Sequence, residues 1–161
     1  MATADILEGK TILAVDDEED VLEVIREQLD SCRVVSAQDF HGAKQLLETQ
    51  QFDLVILDIM GVRGFDLLDL AAGKKLPAVM LTAHSITPES LQRSIDSGAV
   101  SFLPKDKLAE LAGLIREILG DVSRGETHWP RLEKILGPKF SELWGKLWDE
   151  IKFPRDPKIS W

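Results

Sequence analysis

The stretch Phe52–Gly64, FDLVILDIMGVRG, decides how this chain folds. Leu54, Val55, Ile56 and Leu57 form an apolar run without polar alternation. Such a run predicts a strand buried on both faces, as in the middle of a parallel sheet. One carboxylate, Asp58, ends it, and a loop holding Gly61 and Gly64 follows. In open α/β folds the chemistry gathers just beyond the carboxyl ends of the strands. Asp58 stands at such an end, so its surroundings decide whether it reacts.

The same pattern repeats on both sides of this stretch. Thr11–Val15 (TILAV) is an apolar run ending in Asp16 and Asp17, and helical spacing follows from Glu19 to Leu29. Arg33–Ala37 predicts a second strand, and Asp39 suits the N-cap of a helix through Leu46 and Leu47. Beyond Asp58, a short helix from Phe65 to Ala72 closes at Gly73, and Pro77 leads into a strand at Ala78–Thr82. Thr87 and Pro88 have the form of a helix start, and that helix stops at Ser97-Gly98. Val100–Leu103 is a fifth strand before Pro104-Lys105, and Leu108–Leu119 is a fifth helix. Five βα units in about 120 residues predict an α/β, flavodoxin-like, doubly wound parallel sheet of order 2-1-3-4-5.

Composition divides the chain. Residues 1–123 hold 11 Lys and Arg against 22 Asp and Glu, whereas residues 124–161 hold 8 against 6. All four Trp (Trp129, Trp144, Trp148 and Trp161) lie in the second part. We therefore expect one domain over 1–122 and a Trp-containing helical extension over 123–161. The acidic body argues against nucleic acid as a partner. No run reaches the ~18–20 apolar residues of a membrane span, the N-terminus has no secretion-signal pattern, and Cys32 is the single cysteine; a cytoplasmic protein is expected. In the extension, Trp129–Leu136 is a helical candidate that Gly137-Pro138 is expected to break. Phe140, Leu143, Trp144, Leu147, Trp148 and Ile151 then recur at helical spacing, with Pro154 and Pro157 as stops and Lys158–Trp161 as a loose end. Such a face docks on its own domain in the first instance, with a homodimer or another protein as the further candidates, since Trp is enriched in interface hot spots. His41, His84 and His128 stand apart and suggest no metal site.

Order 2-1-3-4-5 brings four strand ends together: Asp16 and Asp17, then Asp58, Thr82 and Lys105. Three close carboxylates repel one another unless a cation neutralises them. A hard ion such as Mg²⁺ does so with carboxylates, water and a phosphate oxygen as ligands. Lys105 supplies a point charge for a phosphoryl oxygen, while Thr82 supplies a hydroxyl and Ala83 a backbone N–H. The set describes a site in which Asp58 is phosphorylated.

These residues carry a resemblance. The segments ILAVDDEED, LVILDIMGVRG, VMLTAH and FLPKD resemble the receiver domain of two-component response regulators, over roughly residues 9–122. The resemblance implies Asp58 as phosphoacceptor, Asp16 and Asp17 as the acidic pair, and Mg²⁺ on Asp17, Asp58 and the Met60 carbonyl. It further implies Thr82 as the switch hydroxyl, Phe102 as the switch aromatic and Lys105 as the family lysine. A sensor histidine kinase or phosphotransfer protein would donate the phosphoryl group, and a face of the fourth helix, fifth strand and fifth helix would signal to a downstream protein or to the chain's own C-terminal helices. Two positions depart from the family. Asp106 replaces the usual Pro after the lysine, where a cis bond would cost ~2.5–4 kcal/mol, and Met60-Gly61-Val62 lacks the usual Pro.

Other functions fit less well. An Asp-nucleophile phosphatase of the haloacid dehalogenase kind needs an acid/base Asp where Met60 stands. A transcription factor needs a DNA-binding module larger than 38 residues of net charge +2. A degenerate receiver serving as a constitutive docking module would not need the intact acid, Thr and Lys set.

Overall fold

The computed structural model describes residues 5–83 and 87–154, together with Asp156, Lys158 and Ile159. Five strands, β1 (Thr11–Val15), β2 (Arg33–Ala37), β3 (Leu54–Asp58), β4 (Ala78–Thr82) and β5 (Ser101–Pro104), form one parallel sheet of order β2-β1-β3-β4-β5. The expected sheet is the observed one. β3 and β4 are buried at every position, whereas β2 at one edge has its Val34 and Val35 only half-buried. Continuous apolar runs therefore mark the middle of the sheet, where helices cover both faces.

Helices α1 (Glu19–Gln28), α2 (Phe40–Thr49), α3 (Gly64–Gly73), α4 (Pro88–Asp96) and α5 (Leu111–Ser123) connect and flank the strands. Right-handed crossovers from this strand order put α1 and α5 on one face and α2, α3 and α4 on the other, consistent with α1 packing on α5 and α2 on α3. Local chemistry sets the helix starts: the Asp39 carboxylate accepts from Gly42 N at 2.7 Å, and Thr87 Oγ1 accepts from Ser90 N at 3.2 Å with Pro88 behind it. The fifth helix begins later than its apolar spacing suggests, because Lys105–Glu110 winds as a 3-10 turn first. Among the described residues every peptide bond is trans.

The C-terminal part departs most from expectation. One helix, α6 (Trp129–Trp144), runs straight through Gly137-Pro138; the break comes at Gly145, φ +55°, before the single turn α7 (Lys146–Asp149). Proline inside a helix removes a hydrogen bond and crowds the preceding turn. Here Trp129, Leu132, Leu136 and Phe140 are buried along one stripe that spans the proline, and that burial holds the helix together. Pro138 itself faces out. The expected helix over 140–151 is thus cut in two, because Gly145 adopts a backbone that other residues avoid.

Nor is the end entirely loose. Lys158 bridges to Glu126, and Ile159 N donates to Gly125 O at 2.8 Å, a non-local pairing with no signature in KISW itself. His84, Pro157 and Trp161 lie outside the described residues. α6 packs on β5, and its buried side chains join the same hydrophobic cluster as the sheet. Around that joint, His128 N donates to Val100 O at 2.9 Å, His128 Nδ1 lies 2.7 Å from Ser101 Oγ, and Trp129 Nε1 donates to Ala99 O at 2.7 Å. Burial pushes the His128 imidazole below its ordinary pKa, against the nearby Glu117 and Asp121 charges, so it is neutral at neutral pH.

Candidate phosphoacceptor site

Strand register assembles the site. Val15 pairs with Leu57, so Asp16 and Asp58 are the next residues along two neighbouring strands; Thr82 pairs with Pro104, so Lys105 comes one step beyond Thr82. Carboxylate oxygens of Asp16, Asp17 and Asp58 lie within 4.8 Å of one another. Asp16 and Asp58 are buried, while Asp17 is exposed at the mouth. Lys105 Nζ stands 2.9 Å from Asp16 Oδ2 and 3.3 Å from Asp58 Oδ1, with Glu18 Oε2 farther off at 3.8 Å. Asp16 Oδ1 also accepts from Glu18 N at 2.9 Å, which ties the acidic pair to the start of α1.

Two glycines make this approach possible. Gly61 has φ +83°, and a Cβ there would fall 2.5 Å from Asp17 Oδ2. At Gly64 a Cβ would fall 2.1 Å from the Asp58 carbonyl oxygen, where no side-chain adjustment could relieve it. The loop of the opening stretch is therefore folded back tightly onto the carboxylates. Met60, between Asp58 and Gly61, is 72% exposed, at the rim of this loop.

The electrostatics follow from crowding. Burial first and then the Asp16 charge raise the Asp58 pKa, Lys105 opposes both, and the balance lies at about 6. Asp16 is also raised, by burial, with Lys105 again opposing. Burial would lower the Lys105 pKa, but the two carboxylates more than offset that and raise it, so the ammonium stays charged. Thr82 is buried and its Oγ1 meets no hydrogen-bond partner among the described residues. Buried hydroxyls normally have a partner, so the pocket holds one donor in reserve as well as an excess of acceptor oxygens. This donor set fits a hard divalent cation together with an anionic oxygen-rich group.

The structure thus brings Asp16, Asp17, Asp58, Thr82 and Lys105 to one edge. The exposed Ala83 shares a cavity of about 210 Å³ with Thr82 and Lys105. Phe102 is apart from them, wholly buried within edge strand β5. Sequence reasoning did not place Lys139, Phe140 and Leu143 beside the site. Lys139 of α6 reaches Asp106 at 2.7 Å and, with Phe140 and Leu143, forms the far wall of that cavity. No local signal pointed to them, since Lys139 lies 33 positions from Asp106 in the chain.

Comparison with known proteins agrees with this geometry. The sequence model of the response regulator receiver domain matches residues 12–116, and the chain belongs to that family. It is 34% identical over 128 residues to the response regulator MprA of Mycolicibacterium vanbaalenii, covering 72% of this chain and 54% of that protein. It is 32% identical over 119 residues to the two-component response regulator ARR10 of Arabidopsis thaliana, covering 69% of this chain and 21% of that one. The chain thus spans between about a fifth and about half of the length of these curated relatives. Among solved structures, a CheY-like receiver domain protein from Methanospirillum hungatei superposes with a TM-score of 0.65 at 22% identity, covering 73% of this chain and 98% of that one. A response regulator from Chloroflexus aurantiacus gives 0.62 at 27%, covering 70% and 99%.

Proposed function

We propose that this chain is a phosphorylation-controlled switch in which Asp58 accepts a phosphoryl group from a sensor histidine kinase or a phosphotransfer protein. The observation that carries the reading is the position of Asp58, buried at a strand end with Oδ1 3.3 Å from Lys105 Nζ and two more carboxylates within 4.8 Å. In the transfer, an Asp58 carboxylate oxygen forms the new P–O bond as the P–N bond of the donor phosphohistidine breaks, and the imidazole keeps the bonding pair. Lys105 holds the charge that collects on the phosphoryl oxygens, and Thr82 donates its hydroxyl to one of them, with Ala83 N–H as a second donor. Asp16, Asp17 and Asp58 would hold Mg²⁺ with the Met60 carbonyl, and its charge when bound would neutralise the carboxylates and the incoming phosphate. Loss of the signal is hydrolytic: water attacks phosphorus, the P–O bond to Asp58 breaks, and carboxylate and phosphate are released.

In this reading the chain has no substrate to turn over, and its chemistry is confined to gaining and losing its own phosphoryl group. Residues 1–122 form the receiver, with Phe102 as a switch aromatic, and residues 123–161 form the extension. The protein works in the cytoplasm, in keeping with the absence, among the described residues, of any helix long and apolar enough to cross a membrane. Its output is by protein contact, to a downstream partner, a second copy or the chain's own C-terminal helices. Incubating the full chain with acetyl phosphate and Mg²⁺ should add the mass of one phosphoryl group, and Asp58→Asn should abolish that gain. Undiminished labelling of the variant would move the phosphoacceptor elsewhere.

A further inference from the structure

The two halves of α6 are held differently. The first half is fixed by the His128 and Trp129 hydrogen bonds to the lead-in of β5 and by buried Trp129, Leu132 and Leu136. The second half has fewer fully buried side chains, and Trp144, like Trp148 of α7 beyond it, is only partly buried against the core. Leu143 is 59% exposed, the helix stops at Gly145, and α7 buries no residue. This half is seated by buried Phe140, stacked on the partly buried Trp144 at 4.5 Å and near Trp148 at 5.7 Å, and on the side of the phosphoacceptor pocket by the Lys139 Nζ–Asp106 Oδ2 pair at 2.7 Å.

That seat borders the phosphoacceptor pocket. Asp106 directly follows Lys105 in the same 3-10 turn. The cavity of about 210 Å³ has Thr82, Ala83 and Lys105 on its sheet side and Lys139, Phe140 and Leu143 on its α6 side. Given the reading of Asp58 as phosphoacceptor, on which this inference rests, we propose that the second half of α6 reports the state of Asp58. Its seat depends on the Asp106–Lys139 pair and on the shared cavity, and it loosens when the pocket closes on a phosphoryl group.

The physical reason lies in what must move. Lys105 Nζ now serves Asp16 and Asp58, and Thr82 Oγ1 has no partner among the described residues. A phosphoryl group on Asp58 offers acceptors to both, drawing Thr82 away from the cavity and displacing the turn that carries Lys105 and Asp106. Packed contacts respond to such shifts by changing arrangement rather than by stretching. Lys139 then loses the position that matches Asp106, while Trp129 keeps the other half in place. A Pro after the lysine would lack this carboxylate, so Asp106 gives the extension a handle that the usual family residue would not.

The test is amide hydrogen exchange on the full chain with Mg²⁺, with and without beryllium fluoride, a phosphoryl mimic whose binding is followed separately by ¹⁹F NMR. The expected result is faster exchange over 139–149 by about fivefold or more, the lower end of ordinary coupling, with 129–137 unchanged. By reciprocity, Lys139→Ala and Asp106→Asn should each bind the mimic more tightly by the same factor and lose the mimic-dependent change, and the charge-reversed pair D106K/K139E should restore it. A merely structural ion pair would leave mimic affinity alone. Bound mimic with unchanged exchange over 139–149, or variants with unaltered affinity, would overturn the proposal. Absence of bound mimic, or binding that persists in Asp58→Ala, would instead refute the reading of Asp58 and take this inference with it.

Discussion

The pocket at the strand ends and the seat of α6 on β5 are built on opposite principles. The pocket concentrates like charges where water is scarce: Asp16 and Asp58 are buried together, and among the described residues Lys105 is the cation that answers them. The seat mainly removes apolar surface from water, with Trp129 1% exposed and its indole N–H bonded to Ala99 O, although the buried Thr127 Oγ1 and His128 Nε2 meet no hydrogen-bond partner among the described residues. One region holds energy against the fold, and the other supplies stability. On the proposed function charge is added in the first region, where a bound cation would relieve the crowding of carboxylates and offset the charge that a phosphoryl group brings.

The largest effect expected from this contrast is at the seat. Trp129→Ala removes a fully buried indole and leaves the Ala99 carbonyl without its donor, so stability should fall by about 3–5 kcal/mol. Urea unfolding measures it. A loss below about 1 kcal/mol, the scale of an ordinary surface substitution, would mean that α6 rests on the sheet without supporting it.

The pocket should respond with the opposite sign. Its Asp58 pKa is raised from 3.8 to about 6 on folding. The folded chain therefore binds the proton more tightly than the unfolded chain between those values, and stability falls as pH rises through them. At about 1.36 kcal/mol per unit, the group costs about 3 kcal/mol at neutral pH without metal. Asp58→Asn should regain up to that amount at pH 7 and flatten the dependence between pH 4 and 6. Added Mg²⁺ should stabilise the parent chain more than the variant. A variant no more stable than its parent would show that Lys105 already compensates the crowding.

Much of the pocket was legible in the sequence because it is a matter of period and position. Unbroken apolar runs ending in Asp16, Asp58, Thr82 and Lys105 define strand ends, and one strand order brings those ends together. The extension was less legible because tertiary contacts decide it. Gly137-Pro138 looked like a break, yet the stripe from Trp129 to Phe140 carries the helix across it, and Gly145 breaks it instead. His128 gave no signal at all, since its neighbour Ser101 lies 27 positions away in the chain. The Lys139–Asp106 pair, 33 positions apart, was equally silent.

A smaller effect separates space from conformation inside the pocket. Gly61→Ala forces a side chain onto a φ of +83°, worth about 1–3 kcal/mol, and drives its Cβ against Asp17 Oδ2. Asp17 is exposed and can swing away, so the stability loss should stay within that range. The carboxylate then leaves the acidic cluster, and Mg²⁺ affinity by titration should drop by about tenfold or more, as when a metal site loses a positioning contact. Unchanged affinity would remove Asp17 from the ion's surroundings.

The smallest effect on stability is expected where the pocket and the seat meet. The Lys139 and Asp106 side chains are 45% and 32% exposed, and pairs of that kind contribute about 0–1 kcal/mol. Lys139→Ala should therefore leave the urea midpoint almost where it was, while Trp129→Ala moves it far. That asymmetry is what a reporting contact requires. A pair worth several kcal/mol would hold α6 in one place whatever happened at Asp58, whereas a pair near 1 kcal/mol can be outweighed by a single phosphoryl group. If Lys139→Ala destabilises the chain as severely as Trp129→Ala, the second half of α6 is as firmly built in as the first, and the contrast between the two halves fails.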